Sequence, residues 1–156
     1  MKSWSRAIVG PSALYGPRCV SRRVGQIFIE NAIQGLDVDI SGDGTDALDF
    51  THVNDLSAGI VGVLTHESAK NELFNITYGE SRSIAQMADI IRTHFPGVTI
   101  NYLPKDALMP DRGTLSVQKA KDLFGYAPTH PLEVGFVDYI EWYKSIWPAV
   151  SGNGTA

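Results

Sequence analysis

The chain has 156 residues, 44% of them hydrophobic, which is enough for one compact domain with a core and too few for two full domains. Its 13 basic and 17 acidic residues leave a formal net charge of -4, which excludes the strongly basic surface of proteins that bind nucleic acids or anionic membranes. The single cysteine, Cys19, excludes an internal disulfide. No apolar run approaches the roughly 20 residues of a membrane helix. The first residues are polar and lack the apolar core of a signal peptide, which favours the cytoplasm.

Strands and helices are predicted to alternate from the start of the chain. Residues 5–9 end in an apolar run that Gly10 and Pro11 stop, which predicts a buried strand followed by a loop. Apolar residues at mostly helical spacing predict a helix over residues 22–33, and Gly35 is expected to provide its left-handed cap.

The next segment predicts two extended pieces and a helix. Val38 and Ile40 alternate with aspartates, as on a half-exposed strand, and a glycine turn at residues 42–44 leads to a second extended piece at 49–53. The following helix is expected to be capped by Asn54 or Asp55 and to reach about residue 66.

The second half continues the alternation. Strands are predicted at residues 73–76 and 98–102, and between them Ser83 and Gln86 have the spacing of a capping box that opens a helix. After a polar loop, Ser116 is expected to cap a short helix, and a last helix with an aromatic face is predicted over residues 132–146.

The run from Gly42 to Ala47 imitates the glycine pattern of a dinucleotide-binding loop. That loop needs a helix directly after it, so that main-chain amides and the helix dipole meet the pyrophosphate. Here an extended piece follows, and we interpret the run as a turn between strands.

Charged and nucleophilic residues leave several interpretations open. Arginines 18, 22 and 23 crowd a predicted helix start, where they could hold a diphosphate or could simply be solvated. The sequence offers Cys19 no histidine base, and the four histidines are scattered singly, so neither a nucleophilic thiol nor a metal site is predicted. Asp49 and Asp55 could be an acid and base pair, although helix capping and binding of a loop amide are favoured for Asp55.

Four segments, in order along the chain, resemble one known family. They are the string from Pro11 to Arg18 with Arg23-Val24 and Phe28-Ile29; Gly42-Asp43-Gly44 with residues 49–55; Phe74-Asn75-Ile76 with Gly79 and Ser83-Ile84; and Arg112, Lys119-Ala120, residues 123–126 and Pro128. Together they cover about residues 8–145 and resemble the second half of the NAD-dependent epimerase/dehydratase family, which are extended short-chain dehydrogenases that act on sugar nucleotides.

The resemblance implies a fold of the α/β class. The chain is expected to form the C-terminal part of an extended short-chain dehydrogenase Rossmann-like fold, with the last sheet strands and the small substrate-binding α/β subdomain. Residues 1–150 would be this substrate-binding portion, and residues 151–156 a disordered tail.

The resemblance also implies a function, but it implies no catalytic residue in this chain. Members of the family use a Tyr-x-x-x-Lys pair and a Gly-x-x-Gly-x-x-Gly loop with NAD or NADP, and neither pattern occurs in this sequence. We therefore expect the substrate-binding part of a nucleotide-sugar epimerase or dehydratase that is inactive alone, with NAD bound in the full-length family and not by this chain alone. The alternatives are a non-catalytic nucleotide-sugar-binding or protein-interaction module and a small structural domain.

Site residues follow from the same resemblance. Arg23 is expected to contact the diphosphate, with Arg112 as the second candidate. Phe28 and Ile40 would line the nucleotide base, Ala13 and Tyr15 the sugar, and Pro11 and Ser12 the nicotinamide of the cofactor.

Departures from the family leave the sugar open. Many relatives have arginine, asparagine and arginine where this chain has Gly10, Ala13 and Leu48. A uridine-diphosphate sugar is therefore expected only because such sugars are frequent substrates in the family. The expected partners are a nucleotide-diphosphate sugar and either a separate cofactor-binding half or a homodimer partner. Strands without neighbours would make the chain marginally stable or self-associating.

Overall fold

The computed structural model of the chain describes residues 5–19, 22–105, 108, 110 and 112–151. The helices are α1 (Val24–Ile33), α2 (Val53–Thr65), α3 (Ile84–His94), α4 (Gln118–Phe124) and α5 (Leu132–Ser151). The strands are β1 (Ile8–Gly10), β2 (Leu14–Tyr15), β3 (Val38–Ser41), β4 (Ala47–Leu48), β5 (Thr51–His52), β6 (Leu73–Asn75), β7 (Arg82–Ser83) and β8 (Ile100–Leu103). A 3-10 turn, Glu67–Ala69, follows α2.

The strands of the described part pair two by two. β1 pairs with β6, β2 with β5 and β3 with β8, all in parallel, and β4 pairs with β7 in antiparallel orientation. A parallel pair needs a long crossover between its strands, and here helices lie within each of the three crossovers. The predicted α/β class is confirmed.

Two apolar clusters hold the helices to the strands. In the larger one, α1, α3 and α5 pack around β3, with fully buried Ile29, Val38, Ile91 and Phe136 at its centre. In the smaller one, α2 and α4 cover β6. None of the helices in the described part is both long and apolar enough to cross a membrane.

The capping residues predicted from the sequence are correct for one helix and wrong for another. The capping box of α3 is confirmed, because Ser83 Oγ accepts from the Gln86 amide at 3.1 Å and Gln86 Oε1 accepts from the Ser83 amide at 2.7 Å. The predicted cap of α2 is wrong, because His52 takes that position and its Nδ1 accepts from the Asn54 amide at 3.3 Å.

The last two helices also differ in detail from the prediction. α4 begins after Val117 rather than Ser116, although the Ser116 hydroxyl still accepts from the Gln118 amide at 3.3 Å. α5 continues past residue 146 through Pro148 to Ser151. The predicted tail therefore begins on the last residue of α5, and residues 152–156 lie outside the described residues.

Replacing Gly59 with alanine is expected to destabilise the fold. A Cβ on this buried residue of α2 would overlap Ile76 Cγ2 and lie 3.0 Å from Tyr126 Cε2, and the Ile76 side chain is fully buried and cannot move aside. Overpacking of this kind costs about 1–3 kcal/mol of unfolding free energy, which urea denaturation would measure.

Gly97 provides the matched control, because a Cβ there would meet nothing within 4 Å. Gly97→Ala should leave the unfolding free energy within about 1 kcal/mol of the parent. Equal losses for the two variants would contradict the tight contact at Gly59.

Candidate functional site

A cavity of about 330 Å³ opens on the larger core. Its walls come from β2, the start of α1, β3, residues 46–50 around β4, the start of α3, and the segment between β8 and α4. The lining residues are Ala13, Leu14, Tyr15, Arg23, Val24, Gly25, Phe28, Asp39, Ile40, Ser41, Asp46, Ala47, Leu48, Phe50, Ile84, Met87, Pro110 and Arg112.

The cavity combines an apolar interior with a few charges. Among its described lining residues the cations are Arg23 and Arg112, and both are exposed. The acids already have partners, because Asp46 Oδ1 lies 2.7 Å from Lys105 Nζ and Asp39 Oδ1 accepts from Asn101 Nδ2 at 3.0 Å. An anionic ligand would therefore meet the two guanidinium groups.

The amino terminus of α1 opens on the same cavity. Arg23 is the residue before the helix, its side chain makes no capping hydrogen bond, and the first turn carries no acidic side chain. Val24 and Gly25, the first two helical residues, line the cavity. The first amides of a helix lack intrahelical acceptors and carry the positive end of its dipole, so this position favours an anion.

All six residues predicted to bind substrate line this one cavity. They are Arg23, Arg112, Tyr15, Ala13, Phe28 and Ile40. Their roles toward a ligand stay predictions, as do those of Pro11 and Ser12, which lie after β1 and outside the lining set. Of the other two arginines at the helix start, Arg22 pairs with Glu30 at 3.3 Å and Arg18 does not line the cavity.

Tyr15 contributes its ring to the cavity rather than an acid or base. The residue is 3% exposed, and its hydroxyl lies so close to α5 that a Cβ at Gly135 would come within 2.5 Å of it. Burial, reinforced by the charges of Asp55 and Glu133, raises the pKa of the Tyr15 hydroxyl far above its ordinary value. The hydroxyl therefore keeps its proton at neutral pH.

Several lining residues were missed by the sequence prediction. Leu48, Ile84 and Met87 form an apolar wall, and the acidic side chains of Asp39 and Asp46 complete the polar part. Alternation with buried Val38 and Ile40 predicts that Asp39 is exposed, but it does not predict that Asp39 borders the cavity. The others depend on how β4 and α3 meet, which a local pattern does not give.

Asp49 and Asp55 hold different segments of the chain. Asp55 accepts from the main-chain amides of Thr129 and His130, at 2.9 and 3.0 Å, so the expected role as acceptor of loop amides is confirmed. Asp49 accepts from Thr77, Gly79 and Leu115. Each carboxylate is thus engaged in holding a loop.

Two histidines that are far apart in sequence stack in the fold. The rings of His52 and His130 lie 4.4 Å apart at an angle of 17°, and His130 Nδ1 lies 2.8 Å from Asp55 Oδ1. The interpretation of singly scattered histidines is wrong for this pair. Over the residues that the structure describes, no three His, Cys, Asp or Glu side chains are grouped to hold a metal ion.

His52 is expected to make the fold sensitive to mild acid. Burial lowers the pKa of its imidazole, the neighbouring His130 lowers it further, and the ring is only 2% exposed. The unfolded chain takes up a proton near the ordinary pKa of about 6.5, whereas the folded chain resists it. Stability should therefore fall as the pH drops below about 6.5, by at most about 1.4 kcal/mol per pH unit for this group.

Urea denaturation at several pH values between 8 and 5 would measure the effect, with His52→Asn as the comparison. Asparagine can still accept from the Asn54 amide as a helix cap but does not titrate. We expect the variant to lose less stability on acidification than the parent, and an identical loss would assign the pH dependence to other groups.

Comparison with known proteins shows that the chain is similar to nucleotide-sugar enzymes. Residues 2–77 match the NAD dependent epimerase/dehydratase family. A Bacillus subtilis protein described as an uncharacterised UDP-glucose epimerase is 29% identical over 136 residues, which are 86% of this chain and 43% of that protein.

Solved structures agree on the fold. An epimerase from Methanothermobacter thermautotrophicus superposes with a TM-score of 0.86 over 92% of this chain and 44% of its own, at 24% identity. A UDP-glucuronic acid 4-epimerase from Bacillus cereus, solved with UDP-glucuronic acid and NAD, superposes with a TM-score of 0.81 at 26% identity over 90% of this chain and 45% of its own. The chain thus spans less than half the length of these relatives.

Proposed function

Since the chain belongs to the NAD-dependent epimerase/dehydratase family, we propose that its cavity binds the nucleotide-diphosphate sugar of an epimerase or dehydratase. The observation that carries this proposal is the meeting of two arginines and the open amino terminus of α1 in one largely apolar cavity. A ligand with an anionic centre between two less polar ends fits such a cavity.

The diphosphate lies between Arg23, Arg112 and the first amides of α1. Guanidinium groups bind phosphate oxygens through paired hydrogen bonds, and helix amides add donors that need no side-chain rearrangement. Asp46 does not oppose this assignment, because its charge is paired with Lys105 Nζ. Asp39 accepts from the neutral Asn101 side chain and keeps its charge, so the diphosphate lies on the side of the two arginines.

The two ends of the ligand contact apolar walls. The nucleotide base packs against Phe28 and Ile40, which are each 2% exposed and form the floor of the cavity. The sugar lies toward Ala13 and the Tyr15 ring, beside Leu48. A solved relative at 26% identity holds a UDP sugar, which supports uridine as the base.

The described part of the chain does not fit a whole NAD molecule. Pro11 and Ser12 follow β1 directly, and the family resemblance assigns to them only the nicotinamide end. The glycine turn at residues 42–44 leads into β4 and not into a helix, so it offers no helix amides to a pyrophosphate. We therefore assign no hydride step to this chain and expect no turnover from it alone.

Binding of UDP, uridine, UDP-glucose and NAD to the purified chain tests the proposal. Thermal melting ranks the ligands, because a ligand that binds only the folded state raises the midpoint, and calorimetry gives the affinities. We expect UDP and UDP-glucose to bind more tightly than uridine, and NAD to leave the midpoint unchanged. Binding of NAD without binding of UDP would contradict the assignment of the cavity.

A second surface supports a separate cofactor-binding unit as partner. In the described part, β1 pairs only with β6. The main-chain N–H and C=O groups of Ile8 and Gly10 point toward β6. Main-chain groups alternate along a parallel strand, so those of Ala7 and Val9 face the open edge. Ile60 and Leu64 of α2 are exposed along a groove beside this edge, and we propose that a strand of the cofactor-binding unit covers it.

Without that unit, the open edge is expected to pair with a second copy of the chain. Sedimentation at increasing concentration should show association that Leu64→Lys reduces, because the charge would be buried in the contact. Leu36→Lys is the control, since Leu36 is 52% exposed and lies outside the groove. A monodisperse monomer with a sharp, cooperative melt would contradict the role of this edge.

A further inference from the structure

Asp49 is a buried acidic residue whose carboxylate gathers donors from two other segments of the chain. It is 0% exposed and stands between β4 and β5. Its Oδ2 accepts from the Thr77 hydroxyl at 2.8 Å and from the Leu115 amide at 3.1 Å, and its Oδ1 accepts from the Gly79 amide at 3.0 Å. The carboxylate thus joins the loop after β6 to the segment before α4.

The segment before α4 carries Arg112. Two other hydrogen-bonded pairs hold this segment. The Ser81 amide donates to Thr114 Oγ1 at 3.2 Å, with the two hydroxyls 2.6 Å apart, and the Asn75 side chain donates to the Ser116 carbonyl at 3.1 Å. Both involve exposed groups, for which water is a ready substitute. The bond from the Leu115 amide to Asp49 is less exposed, because its acceptor is fully buried, and it lies three residues after Arg112.

The same stretch of chain also forms the cavity wall. Leu48 and Phe50 line the cavity, while Asp49 between them reaches away toward Thr77 and Leu115. Successive side chains of an extended chain point to opposite sides, so the cavity wall and the anchor belong to one rigid piece. Movement of the Leu115 segment relative to that wall requires the bond to Asp49 to break.

We infer that Asp49 is a positioning residue, which holds Arg112 at the cavity so that its guanidinium meets the diphosphate together with Arg23. This inference rests on the proposed nucleotide-diphosphate site. Asp49 itself does not contact the ligand. It only fixes the position of Arg112.

Two acceptor oxygens are needed for this role. Each oxygen of Asp49 faces a main-chain N–H, that of Gly79 on one side and that of Leu115 on the other, and neither group can become an acceptor. An asparagine at this position must turn its NH2 group toward one of them. Asp49→Asn keeps the shape and the volume of the side chain but must lose one of the two bonds. Because Oδ2 also accepts from the Thr77 hydroxyl, the asparagine oxygen can stay on the Leu115 side, so Asp49→Ala, which removes both acceptors, is measured beside it in every experiment.

A double-mutant cycle with Arg112 tests the inference. Calorimetry would measure UDP and uridine binding to the parent, Asp49→Asn, Arg112→Ala and the double variant. We expect Asp49→Asn to weaken UDP binding by about tenfold and uridine binding by less than about twofold, and to have no further effect once Arg112 is alanine. An equal loss with and without Arg112 would overturn the inference, because Asp49 would then act on the whole cavity.

A measurement without ligand separates this inference from the proposed function. Hydrogen–deuterium exchange should be faster by at least about tenfold in residues 112–117 of Asp49→Asn, while α1 exchanges as in the parent. If the parent does not bind UDP but this exchange rises, the anchor holds and the proposed ligand fails. If exchange in residues 112–117 stays unchanged in Asp49→Ala as well, the anchor itself is wrong.

Two further variants complete the design. Thr77→Val removes a donor to the same carboxylate but leaves the Leu115 bond, so UDP affinity should stay within about twofold of the parent. If Asp49→Asn shows no cooperative melt, Asp49→Glu replaces it in both measurements, because it keeps two acceptor oxygens and moves them by one methylene group. The same outcomes then decide.

Discussion

Removal of either cavity arginine should weaken UDP binding by roughly 10- to 100-fold, because a hydrogen bond to a charged group contributes about 1.5–3 kcal/mol. Arg23 is expected to show the larger loss. It stands at the start of α1, where its guanidinium acts together with the first helix amides on the same phosphate. Uridine lacks the diphosphate, so its affinity should change little in Arg23→Ala or Arg112→Ala.

The matched control for these variants is Arg92→Ala. Arg92 pairs with Asp89 on the exposed side of α3, so this variant removes the same charge far from the cavity. Its UDP affinity should equal that of the parent apart from a small salt-dependent change. Comparable losses for Arg92→Ala and Arg23→Ala would mean that net charge, rather than the geometry of the cavity, governs binding.

Local sequence patterns were sufficient where the determinants lie within a few residues. The helix α3 was predicted from Ser83 and Gln86 because a capping box needs only side chains three residues apart. The strand β3 was predicted from alternation, and Val38 and Ile40 are indeed buried while Asp39 between them is exposed. Both are cases in which propensity and tertiary packing favour the same structure.

Features that depend on distant partners were not predictable in this way. The two-residue strands β4 and β7 form only because Ala47 and Leu48 meet Ser83 and Arg82. A strand of two residues is too short to show an alternation of apolar and polar side chains. The cap of α2 likewise depends on the ring of His52, which lies stacked on His130, 78 positions later in the numbering.

The candidate site was predicted by resemblance rather than by pattern. Nothing in composition or spacing brings Arg23 and Arg112 together, yet both line one cavity with Phe28 and Ile40. The carboxylates that hold the loops around it were ambiguous in the sequence. Asp49 and Asp55 could be an acid and base pair by sequence, although binding of a loop amide was favoured for Asp55, and only their hydrogen-bond partners decide between the two roles.

Replacing Asp55 with alanine is the substitution expected to cost the most stability. Asp55 is 3% exposed, and beside the amides of Thr129 and His130 its Oδ1 also faces His130 Nδ1. Alanine would leave two main-chain amides without an acceptor at the junction of α2 and α5. We expect a loss of about 2–5 kcal/mol and a fall of roughly 5–15 °C in the melting temperature.

Asp89→Ala provides the control for this prediction. Asp89 has an arginine partner within hydrogen-bonding distance, as Asp55 has main-chain partners, but both members of the pair are exposed. Exposed pairs contribute at most about 1 kcal/mol, so its melting temperature should stay close to that of the parent. A similar small change in Asp55→Ala would show that water replaces the carboxylate at the junction.

The difference between the parent and Asp55→Ala should itself depend on pH. Burial alone would raise the pKa of the Asp55 carboxyl, but the bonds from the Thr129 amide and from His130 outweigh it, and the pKa is lowered. The stability that this carboxylate contributes is therefore complete above its ordinary pKa of about 4 and is lost as the pH falls through the lower folded value. The denaturation midpoints of the two proteins should converge at acidic pH, and a constant gap would assign the effect to lost packing instead.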